Sequence, residues 1–245
     1  MIIVTGAGRS GTSMIAAIYS AAGVKVGGSW DETVRAGLED PEAVAINRVL
    51  ASSLGVSLLG DRRPVKPLGE AAPRLKRATD LMVSEDFRRR AKAYYRARPW
   101  NRAPFKGIRW SAVPRLVSEY APTLKAYSQR TVVVKDPQFT VTLPVWAQSV
   151  SDIDAVVLMH RDVREMIVSR KTAGHAVPAQ DERSRNMFTY ALGNVLETCM
   201  ANNIPVVSLR FPDILEDLPT LAGKLPLPSG IDRQTILAAV RETVR

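Results

Sequence analysis

The opening residues, Met-Ile-Ile-Val-Thr-Gly-Ala-Gly-Arg-Ser-Gly-Thr-Ser, constrain this chain more than any other stretch. Met1–Thr5 is a short apolar run rich in β-branched residues, and a glycine-rich turn follows it directly. Thr12–Ala22 then has helical character, with Gly23 as its stop. Strand, glycine turn and helix start, in that order, predict a strand whose carboxyl end feeds a helix N-terminus. Glycines let the backbone approach a ligand closely, and a helix N-terminus offers unpaired N–H groups to an anion.

The rest of the chain repeats the alternation. Asp40-Pro41-Glu42 is a helix start, with a capping carboxylate and then proline in the first turn. Ile46, Val49, Leu50 and Leu54 follow at helical spacing, and Gly55 ends the run. Residues 61–125 read as helices and loops broken by prolines. Thr131–Lys135 and Ala155–Met159 read as buried strands, Leu143–Val150 as a helix, and Asp162 as the cap of a helix reaching about Lys171. Asp181–Asn202 is predicted to be a long helix, Pro205–Leu209 a strand, Pro212–Gly223 a helix, and the tail from Ile231 a final amphipathic helix. Apolar strands alternating with helices imply an α/β fold, a central parallel sheet flanked by helices on both faces. In such sheets ligands sit at the carboxyl ends of the strands. Three of those ends carry polar residues, Gly6–Ser13, Lys135-Asp136 and His160-Arg161, and are expected to converge on one crevice.

With 245 residues, 46% apolar and 24% charged, the chain has the balance of an ordered globular domain rather than a disordered one. We expect a single domain over 1–245, with a helical, basic insertion at about 56–130. No stretch approaches the roughly 20 apolar residues of a membrane span. The first residues have no signal-peptide pattern and read as the first strand of the fold. One cysteine, Cys199, allows no internal disulfide and is expected to be a small buried hydrophobe. Two histidines leave little room for a histidine metal cluster. A reducing, cytoplasmic setting is expected.

The loop Gly6–Ser13 differs from the nucleotide triphosphate version, G-x-x-x-x-G-K-[ST], at one decisive position. Thr12 stands where the lysine that holds the β- and γ-phosphates would be. The strand ending at His160 also lacks the magnesium-binding aspartate of a Walker B strand. A glycine loop with Arg9 inside it suits a compact 5′-phosphate group without a triphosphate tail.

Gly-Arg-Ser-Gly-Thr-Ser after the first strand resembles the 5′-phosphosulfate loop of sulfotransferases that use 3′-phosphoadenosine-5′-phosphosulfate (PAPS). His160-Arg161-Asp162 with Ser169 is similar to that family's 3′-phosphate motif. Val134-Lys135-Asp136-Pro137 resembles the Lys-Asp-Pro element of bacterial members, and Ala36–Asp40, before the helix containing Asn47, resembles their Gly-x-x-Glu segment. Leu209–Leu215 resembles a late Tyr-Glu-Asp-Leu stretch. Arginine in the first loop is closer to the tyrosylprotein and bacterial carbohydrate types, and the late Arg-Lys-Gly loop of cytosolic members is not found.

The resemblance implies a P-loop nucleoside-phosphate-binding fold and sulfuryl transfer from PAPS to an acceptor hydroxyl or amine, leaving adenosine 3′,5′-bisphosphate. An in-line displacement of this kind needs positive charge and backbone donors where negative charge spreads. It needs no metal if arginine and lysine supply that charge. The implied donor-binding residues are Gly8, Arg9, Ser10, Gly11, Thr12 and Ser13 at the 5′ side, and Arg161 and Ser169 at the 3′-phosphate. Arg9 and Lys135 would hold the transferring oxygens; for Lys135 an ion pair with Asp136 or another strand-end carboxylate is the equal alternative. Glu39 is the expected general base; as the bland alternative it is a surface carboxylate favoured by a helix dipole. Asp31, Asp40, His160 and His175 are its rivals, while Asp162 is expected to cap a helix rather than serve as an acid. Arg164, Arg170 and Lys171 either assist Arg161 or are simply solvated.

Charge adds one more feature. Between Asp61 and Arg115 there are 16 basic and 5 acidic residues, so this one segment carries the whole of the +10 net charge. It is either a solvated helical face or a surface for something anionic. It suggests an anionic small-molecule, carbohydrate or lipid acceptor. No RNA-binding or helix-turn-helix motif accompanies it, so a nucleic-acid partner is not expected. Three other functional readings remain open at this level: a small-molecule kinase with an altered loop, a basic nucleic-acid-binding protein, and a degenerate sulfotransferase-like fold that binds nucleotide without turnover.

Overall fold

A computed structural model of the chain describes residues 1–27, 30–31, 36–55, 108–172 and 181–244. Four strands, β1 (Ile2–Gly6), β4 (Val133–Lys135), β5 (Ala155–Arg161) and β6 (Val206–Phe211), form one sheet in the order β4-β1-β5-β6. Every pairing is parallel, with Val4 opposite both Lys135 and Val157, and Met159 opposite Leu209. A short antiparallel pair, β2 (Trp30–Asp31) and β3 (Ala36–Gly37), lies between α1 (Thr12–Ala21) and α2 (Pro41–Ser53) in the chain. The remaining α-helices among the described residues are α3 (Val113–Ser128), α4 (Phe139–Ser149), α5 (Val163–Thr172), α6 (Asp181–Ala201), α7 (Leu218–Lys224) and α8 (Arg233–Val244).

β1, β4 and most of β5 are buried on both faces, which is why they read as continuous apolar runs, whereas the edge strand β6 is half-exposed. Ile3, Val134, Val156 and Leu158 point into a core built with α2, α3, α4 and α6. Ile2, Val4, Val133, Val157 and Met159 point the other way, into a second core with α1, α7 and α8. The chain is therefore an α/β fold with an all-parallel central sheet flanked by helices. No helix among the described residues is long and apolar enough to cross a membrane.

Most sequence expectations agree with these elements to within a few residues, and two need correction. The helix expected over Leu143–Val150 begins at Phe139. Pro144, which disguised its first turn, has no N–H to donate to the carbonyl of Thr140. That carbonyl instead accepts from Asn194 Nδ2 on α6 at 2.7 Å. The helix expected over Pro212–Gly223 is two pieces, a single 3₁₀ turn at Asp213–Leu215 and then α7. Asp217 restarts the helix by accepting from the backbone N–H of Thr220 at 3.0 Å, with Pro219 in the first turn. Of the expected insertion at 56–130, residues 56–107 and most of the basic segment lie outside the described residues. The part that is described, Ile108 onward, leads into α3, whose Leu116, Tyr120, Leu124 and Tyr127 are buried in the first core.

Candidate functional site

β1 and β4 are neighbours and β1 and β5 are neighbours, so their polar carboxyl ends meet at one edge of the sheet. The turn after β1 is tightly built. At Gly6 (φ +154°) an added Cβ would lie 2.1 Å from the carbonyl oxygen of Met159 on β5. At Gly11 (φ +98°), which caps α1, a Cβ would lie 2.9 Å from the Phe211 ring at the end of β6. Arg9 also has a positive φ, 75°, between them. Ser10 N–H closes the turn on Ala7 O at 3.0 Å. The helix that follows leaves first-turn N–H groups without intrahelical partners, and no acidic side chain occupies that turn. Gly8, Arg9, Ser10, Gly11, Thr12 and Ser13 thus form a glycine-lined cradle with the positive end of a helix dipole behind it. Ser10 is fully buried, and its hydroxyl has no hydrogen-bond partner among the described residues.

Lys135, the last residue of β4, reaches the same place. Its ammonium donates to Ser13 Oγ at 3.1 Å, to Gly37 O at 3.1 Å, and to the Glu39 carboxylate. Its side chain is 2% exposed against 33% for Glu39, so a buried cation is paired with a carboxylate open to solvent on one side. Lys135 is therefore ion-paired, as one of its two readings has it, but with Glu39 on the loop before α2 rather than with Asp136 or another carboxylate at a strand end. Asp136 points away from it, into the core, where its carboxylate accepts from Asn47 Nδ2 and from the Gln138 N–H, each at 2.9 Å. Burial pushes the Asp136 carboxyl up to about 6 against these hydrogen bonds.

The end of β5 supplies the other cations. Arg161 donates to Glu165 Oε2 at 2.8 Å and lies over the Phe211 ring, 4.9 Å from its centroid. Ser169, on α5, accepts from Arg9 Nε at 3.1 Å. The resemblance sets Ser169 and Arg161 about a shared phosphate; in the structure the Ser169 hydroxyl accepts from Arg9, which ties α5 to the glycine loop. Burial and then the charge of Arg161 hold the Arg9 guanidinium below its usual range. Positive charge thus gathers here, from Arg9, Arg161 and a helix N-terminus, beside the Ser10 hydroxyl that has no partner among the described residues.

Asp40 caps α2, accepting from the N–H groups of Glu42 and Ala43 at 2.9 and 3.0 Å. Asp162 caps α5 through the Arg164 N–H at 2.8 Å, as expected of it. His160 is held below its usual range by burial and by Arg210, against the pull of Asp213. His175 and the side chains of Asp31, Arg170 and Lys171 lie outside the described residues, and Arg164 is exposed. Cys199 is buried in the first core, which raises its thiol to about 11. Sequence reasoning gave no role to Phe211 or Asn47. The signal for Phe211 was an aromatic at the end of the strand beside His160-Arg161. For Asn47 it was an amide among the apolar positions of α2, whose side chain is fully buried. No family model matches the chain, and no curated protein matches it significantly.

Proposed function

We propose that this chain is a PAPS-dependent sulfotransferase with a P-loop type of donor site. The observation that carries the reading is the grouping of Lys135, Glu39 and Ser13 at the mouth of the glycine loop that contains Arg9. A sulfuryl donor is a good fit to the residues present. The buried Ser10 hydroxyl has no partner among the described residues, one that an anion would supply, and Arg9 feels the charge of Arg161. Gly8–Ser13 and Arg9 would hold the 5′ phosphosulfate, and Arg161 with Ser169 the 3′-phosphate. PAPS supplies an activated sulfuryl group; this chain's residues supply charge, orientation and a base. Lys135 and Arg9 offset negative charge that grows on the transferring and leaving oxygens. Glu39, beside Lys135 and open to solvent, takes the acceptor's proton. Lys135 already spends its three protons on Ser13, Gly37 and Glu39, so meeting a donor oxygen requires it to release one of them. The acceptor would be a small molecule, carbohydrate or lipid.

The test is a thermal-shift titration with adenosine 3′,5′-bisphosphate, magnesium–ATP and AMP, followed by incubation with labelled PAPS. A ligand at 100 times its dissociation constant adds about 2.7 kcal/mol of stability. The expected result is a large shift with the bisphosphate, lost in Arg161→Ala, and release of label from PAPS. A shift with magnesium–ATP alone would overturn the reading in favour of a kinase. No shift with any nucleotide, with salt-sensitive binding to DNA or RNA, would move the function to the basic segment.

A further inference from the structure

Lys135 and Glu39 sit on different elements, and neither is on the part of the chain that sets their separation. Lys135 ends β4; Glu39 lies on the loop that enters α2. The join between α2 and the end of β4 is made one residue beyond Lys135. There the Asn47 amide, two turns into α2, donates to Asp136 Oδ2 at 2.9 Å. Both side chains are buried, at 0% and 2% exposure. The Asn47 carbonyl oxygen accepts from Thr142 Oγ1 and Trp146 Nε1 of α4, each at 2.8 Å, so the amide has one orientation. The other Asp136 oxygen is held by the Gln138 N–H, and its backbone carbonyl accepts from Thr5 Oγ1 at 3.0 Å. Among the described residues this carboxylate has no ion-pair partner. A buried carboxylate held only by hydrogen bonds is a costly way to fill a core, and an apolar pair of similar shape would pack there without that cost. What the polar pair adds is direction: it admits one register of α2 against β4.

We propose that Asn47 is a positioning residue which, through Asp136, holds the Lys135 ammonium against the Glu39 carboxylate. This rests on the reading of Lys135 and Glu39 as the reacting pair for what it means, but not for its first test. The amide and the carboxylate meet in complementary orientations, so the joint can be rebuilt with its parts exchanged. In the double variant Asn47→Asp with Asp136→Asn, the amide at position 136 donates to the carboxylate at 47 and still accepts from Gln138. The carboxylate at 47 accepts from Thr142 and Trp146 as before. Each single variant breaks the pattern: Asn47→Asp sets two carboxylates face to face, and Asp136→Asn leaves an N–H₂ against either the Asn47 amide or the Gln138 N–H.

The experiment is competitive acetylation of the full chain with acetic anhydride, read residue by residue by mass spectrometry, with exposed Lys25 as internal reference. In the unsubstituted chain Lys135 is expected to be strongly protected. In either single variant it is expected to react about tenfold faster relative to Lys25, the range of one buried hydrogen bond lost. In the double variant protection is expected to return. Lys135 staying protected in a folded single variant with a lowered melting temperature would overturn the proposal, leaving Asn47 a core residue only. If neither single variant folds, the double variant decides: folded with Lys135 protected supports the proposal, and folded with Lys135 reactive overturns it. PAPS turnover then tests the other layer in the same proteins. A lower kcat with unchanged donor KM in Asp136→Asn, recovered in the double variant, is expected. A chain that never turns over PAPS would overturn the proposed function while the lysine readout still judges this inference.

Discussion

The Lys135 ammonium is bonded at once to Glu39, the expected base, and to Ser13 of the glycine loop, so a single buried cation joins the two halves of the candidate site. Glu39→Gln keeps the shape and removes the charge. It is expected to lower sulfuryl transfer by about 10²–10⁴-fold, the usual worth of a positioned general base, while bisphosphate affinity stays within a few fold. Lys135→Met removes the cation from both partners and is expected to lower transfer and donor affinity together. Steady-state kinetics with isothermal titration of the bisphosphate separates the two. Loss of donor affinity in Glu39→Gln would remove that residue from the role of base.

On the proposed function, Arg9 and Arg161 make different predictions. Arg161, over the Phe211 ring, is assigned to the 3′-phosphate, and Arg9 to the 5′ side. Arg161→Ala should weaken adenosine 3′,5′-bisphosphate about 10- to 100-fold, in the range of a charged hydrogen bond, and leave AMP nearly unchanged. Arg9→Ala should weaken both ligands. Phe211→Leu should act as a mild Arg161 variant, about threefold to fivefold on the bisphosphate alone, by removing the surface the guanidinium rests on. Equal losses for AMP and the bisphosphate in Arg161→Ala would reverse the assignment.

How much of this was visible beforehand differs from residue to residue. The strand, glycine loop and helix start were legible because each uses a local rule: a β-branched run, residues that tolerate positive φ, and free N–H groups at a helix end. The convergence of three strand ends was legible from the α/β alternation alone. The pairing of Lys135 with Glu39 was not, because the sequence offers only strand-end carboxylates such as Asp136 as neighbours, and the path of the loop into α2 brings Glu39 there. Asn47 was invisible for a related reason. Its two acceptor contacts come from Thr142 and Trp146, on a helix whose first turn was hidden by Pro144. The bond from Arg9 to Ser169 was not legible either, because a helix fixes which face a residue occupies, but not which neighbouring loop lies beneath it.

The glycine loop allows a sharp stability comparison. Gly6→Ala would force a methyl group to within 2.1 Å of the Met159 carbonyl oxygen, a backbone atom in the central sheet. That atom moves only if β5 moves, so a loss of about 3 kcal/mol or more, or failure to fold, is expected. Gly193, on an exposed face of α6, has open space where a Cβ would go. Gly193→Ala is expected to stabilise by about 0.5–1 kcal/mol through helix propensity. Urea unfolding of the two variants beside the unsubstituted chain checks both signs; a folded, undiminished Gly6→Ala protein would refute the close approach of β1 and β5.

Asp136 makes stability depend on pH in an unusual sense. Its carboxyl is raised by burial from 3.8 to about 6, so the folded chain holds a proton more tightly than the unfolded chain does. Between those two values the folded state binds more protons, and the contribution of this group falls as pH rises. The sign is opposite to that of a carboxylate stabilised by a cation, whose contribution grows over the same window. A tenfold difference in proton affinity between the folded and unfolded chain is worth about 1.4 kcal/mol, so the full change is about 3 kcal/mol, most of it between pH 4 and 6. Asp136→Asn has no such titration. The difference in unfolding free energy, unsubstituted chain minus variant, should therefore decline from pH 4 to pH 6 and level off above pH 7. Subtracting the variant cancels the other carboxylates, which titrate in both proteins. A difference that stays flat, or rises, across that window would mean that the Asn47 and Gln138 hydrogen bonds outweigh burial, and that Asp136 is a carboxylate at every pH where the chain is folded.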